Sequence, residues 1–264
     1  MTTKTIAEWV DELQAHGRYT FLRNEAVSGS GLSPEAVKKA LQRLTRRSRV
    51  AKVKDYFYVI VPLEYLRAGG PPPSWFIADL MIAMKLPYYV GLLSAAALHG
   101  ASHQQPQEFQ IMTDRSVRPL RIGRVRLRFF VNKNLADTSL VNIKTPTGDV
   151  RVSSPEATAV DLVRFVKASG HLDHVGTVIS ELAPRMNPRK LLEVVRRAAD
   201  LPNAQRLGYL LEHVRARDLA KPLWQWVRRQ EPHAVPLRLG HTSPAMPTDH
   251  RWHVMVSQPL EVEA

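Results

Sequence analysis

The chain has 264 residues, and its 37 lysines and arginines outnumber its 24 aspartates and glutamates, so the formal charge at pH 7 is +13. This length permits a sizeable core and predicts two domains. The sequence contains no cysteine, which excludes disulfides, thiolate zinc sites and cysteine nucleophiles.

The positive charge is spread over the whole chain. Residues 1–68 hold 12 basic and 7 acidic side chains, a net charge of +5. Residues 69–155 hold 10 and 5, which is again +5, and residues 156–264 hold 15 and 12, which is +3. Such a protein is drawn to nucleic acid by a long-range field that salt screens.

A membrane surface is the competing anionic partner, but the sequence does not support it. We find no polybasic amphipathic terminus, and the most apolar stretch, residues 75–98, is interrupted by Asp79, Lys85 and Pro87. The early acidic cluster and the lack of an apolar leader predict a cytoplasmic protein.

The first predicted elements are two helices. Ile6, Val10 and Leu13 recur at helical spacing and predict a helix over residues 5–15. A shorter helix is predicted over residues 20–27. Residues 28–31, of sequence Ser-Gly-Ser-Gly, predict the small flexible turn that a helix-turn-helix requires.

The third predicted helix has the features of a DNA-recognition helix. Ser33 supplies an N-cap oxygen, and Pro34 has a φ suited to the first helical turn. Apolar side chains recur at helical spacing from Val37 to Leu44, while the opposite face carries long, mostly cationic side chains that suit phosphates and guanine edges. An ordinary solvated helix face is the alternative interpretation. The predicted DNA contacts are Ser33, Lys38, Lys39, Gln42, Arg43, Arg46 and Arg47.

A β-hairpin is predicted directly after this helix. Its strands cover residues 50–53 and 56–61, and its tip is Lys54-Asp55. Lys52 and Lys54 are predicted to contact phosphates. Three helices followed by a basic hairpin are typical of a winged helix-turn-helix, which binds duplex DNA.

A Gly/Pro linker is predicted at residues 69–73, where Gly-Gly-Pro-Pro-Pro interrupts all periodicity. We therefore expect an α+β protein with a winged helix-turn-helix domain over residues 1–68 and a larger mixed domain over residues 74–264. Within the larger domain, helices are predicted at residues 74–85, 94–100, 154–168, from 187, 204–214 and 219–227. Strands are predicted at residues 88–90, 109–112, 125–131, 140–144, 150–153, 235–239 and 252–256.

The sequence carries no recognisable catalytic motif, which favours a protein without enzymatic activity. His171 with His174, and His250 with His253, have spacings that could share a metal, but no carboxylate or thiol accompanies them in a known motif. There is no phosphate loop, no Gly-x-Ser-x-Gly elbow and no carboxylate cluster for Mg²⁺. We expect no cofactor and no bound metal.

Short motifs beyond the linker carry a family resemblance. They occur at residues 89–92, 94–96, 98–100, 154–158, 161–162, 205–212, 251–252 and 260–262. In this order, with a winged helix in front, the chain resembles the AbiEi family of abortive-infection antitoxins, the antitoxin half of type IV toxin–antitoxin operons. The resemblance implies a C-terminal antitoxin domain that counteracts a nucleotidyltransferase toxin, in a system of phage defence.

The expected function combines these two inferences. The winged helix is expected to bind operator DNA as two copies on inverted repeats and to repress the operon. A toxin or RNA contact is expected at Arg115, Arg118, Arg121, Arg124 and Arg206, although Arg206 also fits a structural ion pair. The alternatives are a nucleic-acid-processing enzyme with a DNA-targeting winged helix, and an orphan winged-helix regulator.

Overall fold

The computed structural model describes residues 4–101, 107–238 and 246–262, which form two compact units. The first unit comprises Met1–Tyr89, Gln107–Lys133 and Asn142–Arg151, and the second comprises Val90–Pro106, Asn134–Val141 and Val152–Ala264. The α+β class is confirmed, with 48% helix and 20% strand. Within the described ranges, no helix combines the length and apolar character needed to cross a membrane.

The first unit begins with three helices and a three-stranded antiparallel sheet. These elements are α1 (Ile6–Ala15), β1 (Thr20–Leu22), α2 (Arg23–Ser30), α3 (Pro34–Arg46), β2 (Val50–Lys54) and β3 (Phe57–Ile60), and the sheet order is β1-β3-β2. The predicted first helix, third helix and hairpin are confirmed. The predicted second helix is confirmed, but its bounds were wrong, because Thr20 pairs with Val59 as part of a strand and α2 begins at Arg23. The turn predicted over residues 28–31 was also wrong, since α2 extends to Ser30 and only Gly31 leaves the helix.

A compact apolar core holds these N-terminal elements together. Phe21 packs edge-on against Trp9 and stacks on Tyr58, with ring centroids 5.1 Å and 5.5 Å apart. Gly29 lies inside α2 against the same indole, and a Cβ there would be 2.2 Å from Trp9 Nε1. This glycine therefore permits close packing, whereas Gly31, at φ 71°, ends the helix.

The predicted linker is packed within the first unit. Gly69 and Gly123 approach so closely that a Cβ on Gly69 would be 2.7 Å from Gly123 Cα, and the Arg124 amide donates to Ala68 O at 2.9 Å. The helix predicted from Ser74 begins later, since residues 73–75 form a 3₁₀ turn and α4 covers Ile77–Ala83.

Six further strands form a mixed sheet. In chain order, β4 is Tyr88–Val90, α5 is Leu92–Leu98, β5 is Glu108–Thr113, β6 is Leu120–Ile122, β7 is Val125–Val131, β8 is Leu140–Thr145 and β9 is Gly148–Ser153. The sheet order is β6-β7-β5-β4-β9-β8. β7 pairs parallel with β5 and antiparallel with β6, an edge strand that the sequence did not predict.

Helices dominate the second unit. Besides α5, they are α6 (Pro155–Arg164), α7 (Leu172–Leu182), α8 (Pro188–Ala198), α9 (Leu201–His213) and α10 (Arg217–Val227). Three short strands follow, β10 (Val235–Pro236), β11 (Thr248–Asp249) and β12 (Val254–Met255). They are shorter than the predicted strands; β11 was not predicted, and residue 239 lies outside the described residues.

Residues 1–68 should fold as an isolated fragment, because their core is built from side chains between Ile6 and Ile60. The fragment cannot form the hydrogen bond from Thr20 to Asp79 or the packing of Tyr19 on Trp75. We therefore expect one cooperative thermal transition by circular dichroism, at a lower temperature than in the full chain. Fragment 1–86, which keeps both interactions, should recover part of the difference. A broad, non-cooperative transition in fragment 1–68 would show that these residues are not a domain.

Candidate nucleic-acid interface

The orientation of α3 is set by its buried face. Val37 and Leu41 are fully buried in the N-terminal core, and Ser33 caps the helix by accepting from the Ala36 amide at 3.3 Å. Ser33 is therefore a structural cap first. The predicted contact residues on the opposite face are all exposed, namely Lys38, Lys39, Gln42, Arg43, Arg46 and Arg47.

The cations on this exposed face lack acidic partners among the described residues. Some basic residues elsewhere in the same region are paired: Lys4 with Glu12 at 2.7 Å, Arg18 with Glu25 at 2.6 Å, and Arg49 with Asp11. Exposed ion pairs contribute only about 0–1 kcal/mol to stability, but each pair neutralises a charge. The unpaired α3 cations thus present their full charge to an anion in solution.

The wing hairpin offers one paired and one unpaired lysine. Lys52 lies 3.1 Å from Asp55, whereas Lys54 forms no ion pair with a described residue. The ladder is irregular between these two lysines, which turns the tip of the strand. Lys54 is therefore the better phosphate contact of the two.

Two further exposed residues near the wing tip were missed by sequence reasoning. Tyr56 is 39% exposed, and its carbonyl accepts from the Arg23 amide at 2.9 Å, which places the beginning of α2 beside the tip. The Arg23 side chain is exposed as well. An aromatic residue directly after a basic hairpin tip was the available signal for Tyr56, but Arg23 had none, because β1 was not predicted.

Glu25 fixes the approach of the chain into α2. Its carboxylate accepts from Arg18 Nη2 and from the Leu22 amide, each at 2.6 Å. Partial burial of Glu25 acts to raise its pKa, but these two hydrogen bonds and the Arg18 charge outweigh that effect and lower the pKa.

The arginines between β5 and β7 are exposed, as expected for a contact surface. Arg115 pairs with Asp114 at 3.1 Å, while Arg118, Arg121 and Arg124 have no acidic partner among the described residues. Arg121 donates from Nε to Gly123 O at 3.1 Å.

Arg206 belongs to the protein interior, and the contact expected there is not supported. The residue is 8% exposed, its Nε donates to Pro236 O and its Nη1 donates to Asn203 Oδ1, each at 2.9 Å. Burial lowers its pKa. Most of α9 is buried too, so this helix offers little surface to a partner.

The acidic and histidine side chains considered as catalytic or metal-binding candidates in the second unit do not form such a site in the described residues. Glu156 and His99 have structural partners, and the exposed histidines do not join a metal-binding group of described residues. Glu156 is buried and accepts from the Asn187 amide at 2.9 Å, which anchors the beginning of α8. The buried His99 ring lies 2.7 Å from Ser153 O. His171 and His174 are exposed, and no group of three metal-ligating side chains occurs in the described part of the chain.

Comparisons with known proteins give one family and one fold. Residues 89–213 match the AbiEi antitoxin C-terminal domain, which confirms the family resemblance of this segment. The crystal structure of the RV2827C protein from Mycobacterium tuberculosis is similar to this chain, with a TM-score of 0.69 and 14% sequence identity over 97% of this chain and 92% of that chain. At this identity the likeness shows the fold alone.

A second solved structure is more distant. The antigenic nucleotidyltransferase-like protein from Paracoccidioides brasiliensis is 10% identical over 59% of this chain and 90% of that chain, and its TM-score of 0.38 supports no argument. No curated protein matches the sequence.

Substitution of Glu25 tests how the stability of the first unit depends on pH. Because the folded-state pKa of Glu25 is lowered from its ordinary 4.5, its contribution to stability is present above that value and is lost as the pH falls through the folded pKa. Glu25→Gln should therefore lower the free energy of unfolding at pH 7 and flatten its fall below about pH 5. Glu64→Gln, at an exposed carboxylate without a described partner, is the control. Equal urea-unfolding curves for both variants across this pH range would contradict the assignment.

Proposed function

We propose that this chain, whose residues 89–213 match the AbiEi antitoxin C-terminal domain, is both the repressor of its own operon and an antitoxin. The observation that supports repression most directly is the exposed face of α3, whose cations lack acidic partners among the described residues. Such side chains contact phosphates and base edges when a recognition helix enters the major groove. Two copies binding an inverted repeat fit a repressor of this kind.

The antitoxin role rests on the family. A cognate toxin of the nucleotidyltransferase kind is the proposed functional partner, in a defence system of the abortive-infection type. Glu156 is committed to Asn187, and the histidines lie outside any described metal group, so the site chemistry supports neutralisation by binding rather than by turnover. Arg115 and Arg118, exposed between β5 and β6, are the proposed contact with the toxin or with its RNA target.

Operator binding is tested first. Replacing Lys38 and Lys39 together with alanine should weaken binding to DNA from upstream of the gene by about 1–3 kcal/mol for each base-specific hydrogen-bonded pair removed. The control is Arg189→Ala with Lys190→Ala, which removes the same charge from an exposed pair on α8. Lys54→Ala should weaken binding to all sequences alike and reduce the salt slope by about 1. If the α3 variant binds as the control does, the recognition helix has been assigned to the wrong segment.

Neutralisation is tested separately in growing cells that express the neighbouring toxin gene. The full chain with Lys38→Ala and Lys39→Ala, expressed from an unrelated promoter, should still restore growth, because the proposed antitoxin contact lies outside α3. Folded His171→Ala and His174→Ala variants should restore growth equally. Loss of rescue in either histidine variant would favour an enzyme. Failure of the parent chain to rescue would leave only the repressor.

A further inference from the structure

We propose that the β6–β7 hairpin is a second phosphate-contacting element beside the wing, and that it acts through Arg121 and Arg124. This assignment rests on the proposed function, because its ligand is the same DNA duplex that α3 binds. It extends the DNA-binding surface beyond the three helices and the wing.

The wing hairpin (β2–β3) and the β6–β7 hairpin lie side by side in the first unit. β2 is an edge strand of the three-stranded sheet and β6 is an edge strand of the six-stranded sheet, and their Cα atoms approach within 8 Å. The β6–β7 turn is fixed by the close contact of Gly123 with Gly69 and by the hydrogen bond from the Arg124 amide to Ala68 O. Arg121 and Arg124 therefore occupy fixed backbone positions close to the wing strand.

The arginines of this hairpin differ in whether a carboxylate neutralises them. Glu108 accepts from Arg126 at 3.1 Å and from Arg128 at 3.0 Å. Its partial burial acts to raise its pKa, but these two partners outweigh that effect and lower the pKa, so Glu108 stays ionised at neutral pH. Arg126 and Arg128 are thus partly neutralised.

Arg121 lies on the edge strand β6, at the end of a row of paired residues that runs across β5, β7 and β6. It pairs directly with Arg126 across β6 and β7, which places Glu108, Arg126 and Arg121 in register over three strands. Ile122, its neighbour in β6, is buried, so the Arg121 side chain projects on the solvent side. Its Nε is held by Gly123 O, while neither Arg121 nor Arg124 has a described acidic partner.

The spacing suits a duplex. One DNA strand presents a phosphate about every 3.4 Å along the helix axis, so a hairpin whose Cα atoms lie within 8 Å of those of the wing strand reaches phosphates roughly one to two positions further along. Each neutralised phosphate contributes about 0.9 to the slope of log affinity against log salt. The inference is therefore measurable as a change in salt dependence, and not only in affinity.

The experiment measures binding by the full chain to its upstream DNA and to an unrelated duplex of the same length, over a salt series. Arg121→Ala with Arg124→Ala should weaken binding to both duplexes alike. Between about 50 and 200 mM salt, the affinity of the parent should fall about tenfold more than that of this variant. The double variant Arg189→Ala with Lys190→Ala is the charge-matched control and should follow the parent.

A second variant should act in the opposite direction. Glu108→Gln removes the carboxylate that holds Arg126 and Arg128, so it should tighten binding to both duplexes and steepen the salt dependence. A misfolded variant would not bind more tightly, so this result separates a phosphate contact from a merely structural role of the hairpin.

Three results would overturn the inference. If the Arg121/Arg124 variant binds as the control does while the Lys38/Lys39 variant is impaired, the hairpin makes no DNA contact and the proposed function stands. If the Arg121/Arg124 variant binds DNA normally but no longer neutralises the toxin, the hairpin serves the toxin or RNA contact. If the parent chain binds neither duplex, the proposed repressor function fails together with this inference.

Discussion

Burial of Val37 and Leu41 in the N-terminal core is the constraint on which the proposed DNA interface depends. It fixes the rotation of α3 and so exposes the cationic face. Large-to-small substitution in such a core costs about 2–5 kcal/mol for leucine. The core that orients α3 is completed by Phe21, whose strand also positions Arg23 beside the wing tip. Apolar packing thus decides which charges can meet a polyanion.

A close backbone contact has the same importance for the β6–β7 hairpin. Gly69 and Gly123 both have positive φ, and neither has room for a side chain, since a Cβ on Gly123 would be 2.1 Å from Ala68 O. Any larger residue would push the hairpin away from the segment that follows the wing. A glycine that suggests flexibility in the sequence therefore helps to hold two basic hairpins at a fixed spacing in the first unit.

The motif in α9 explains the family resemblance without providing a catalytic site. Gln205 donates to the carbonyls of His233 and Trp252 at 2.9 Å and 3.0 Å, and Gly208 lies beneath the Trp252 ring. Arg206 joins the same internal network through Pro236 O. Gln205, Arg206 and Gly208 therefore hold the C-terminal segment against α9. Because they are buried in this contact, they offer no surface to a partner.

The sequence by itself determined the positive charge of the protein. It also made many helices and strands predictable, because local interactions such as helix caps define where they begin. Ser33 and Ser154 each cap a helix through the amide three residues ahead, and both helices begin where predicted. Only the tertiary structure decided the three-residue strand β1, since Thr20 pairs with Val59, a partner far away in the chain. It also decided which arginines of the β6–β7 hairpin are neutralised and which remain unpaired among the described residues, because their acidic partner, Glu108, lies on a different strand. Sequence position reveals a charge, but only the folded chain brings its partner within reach.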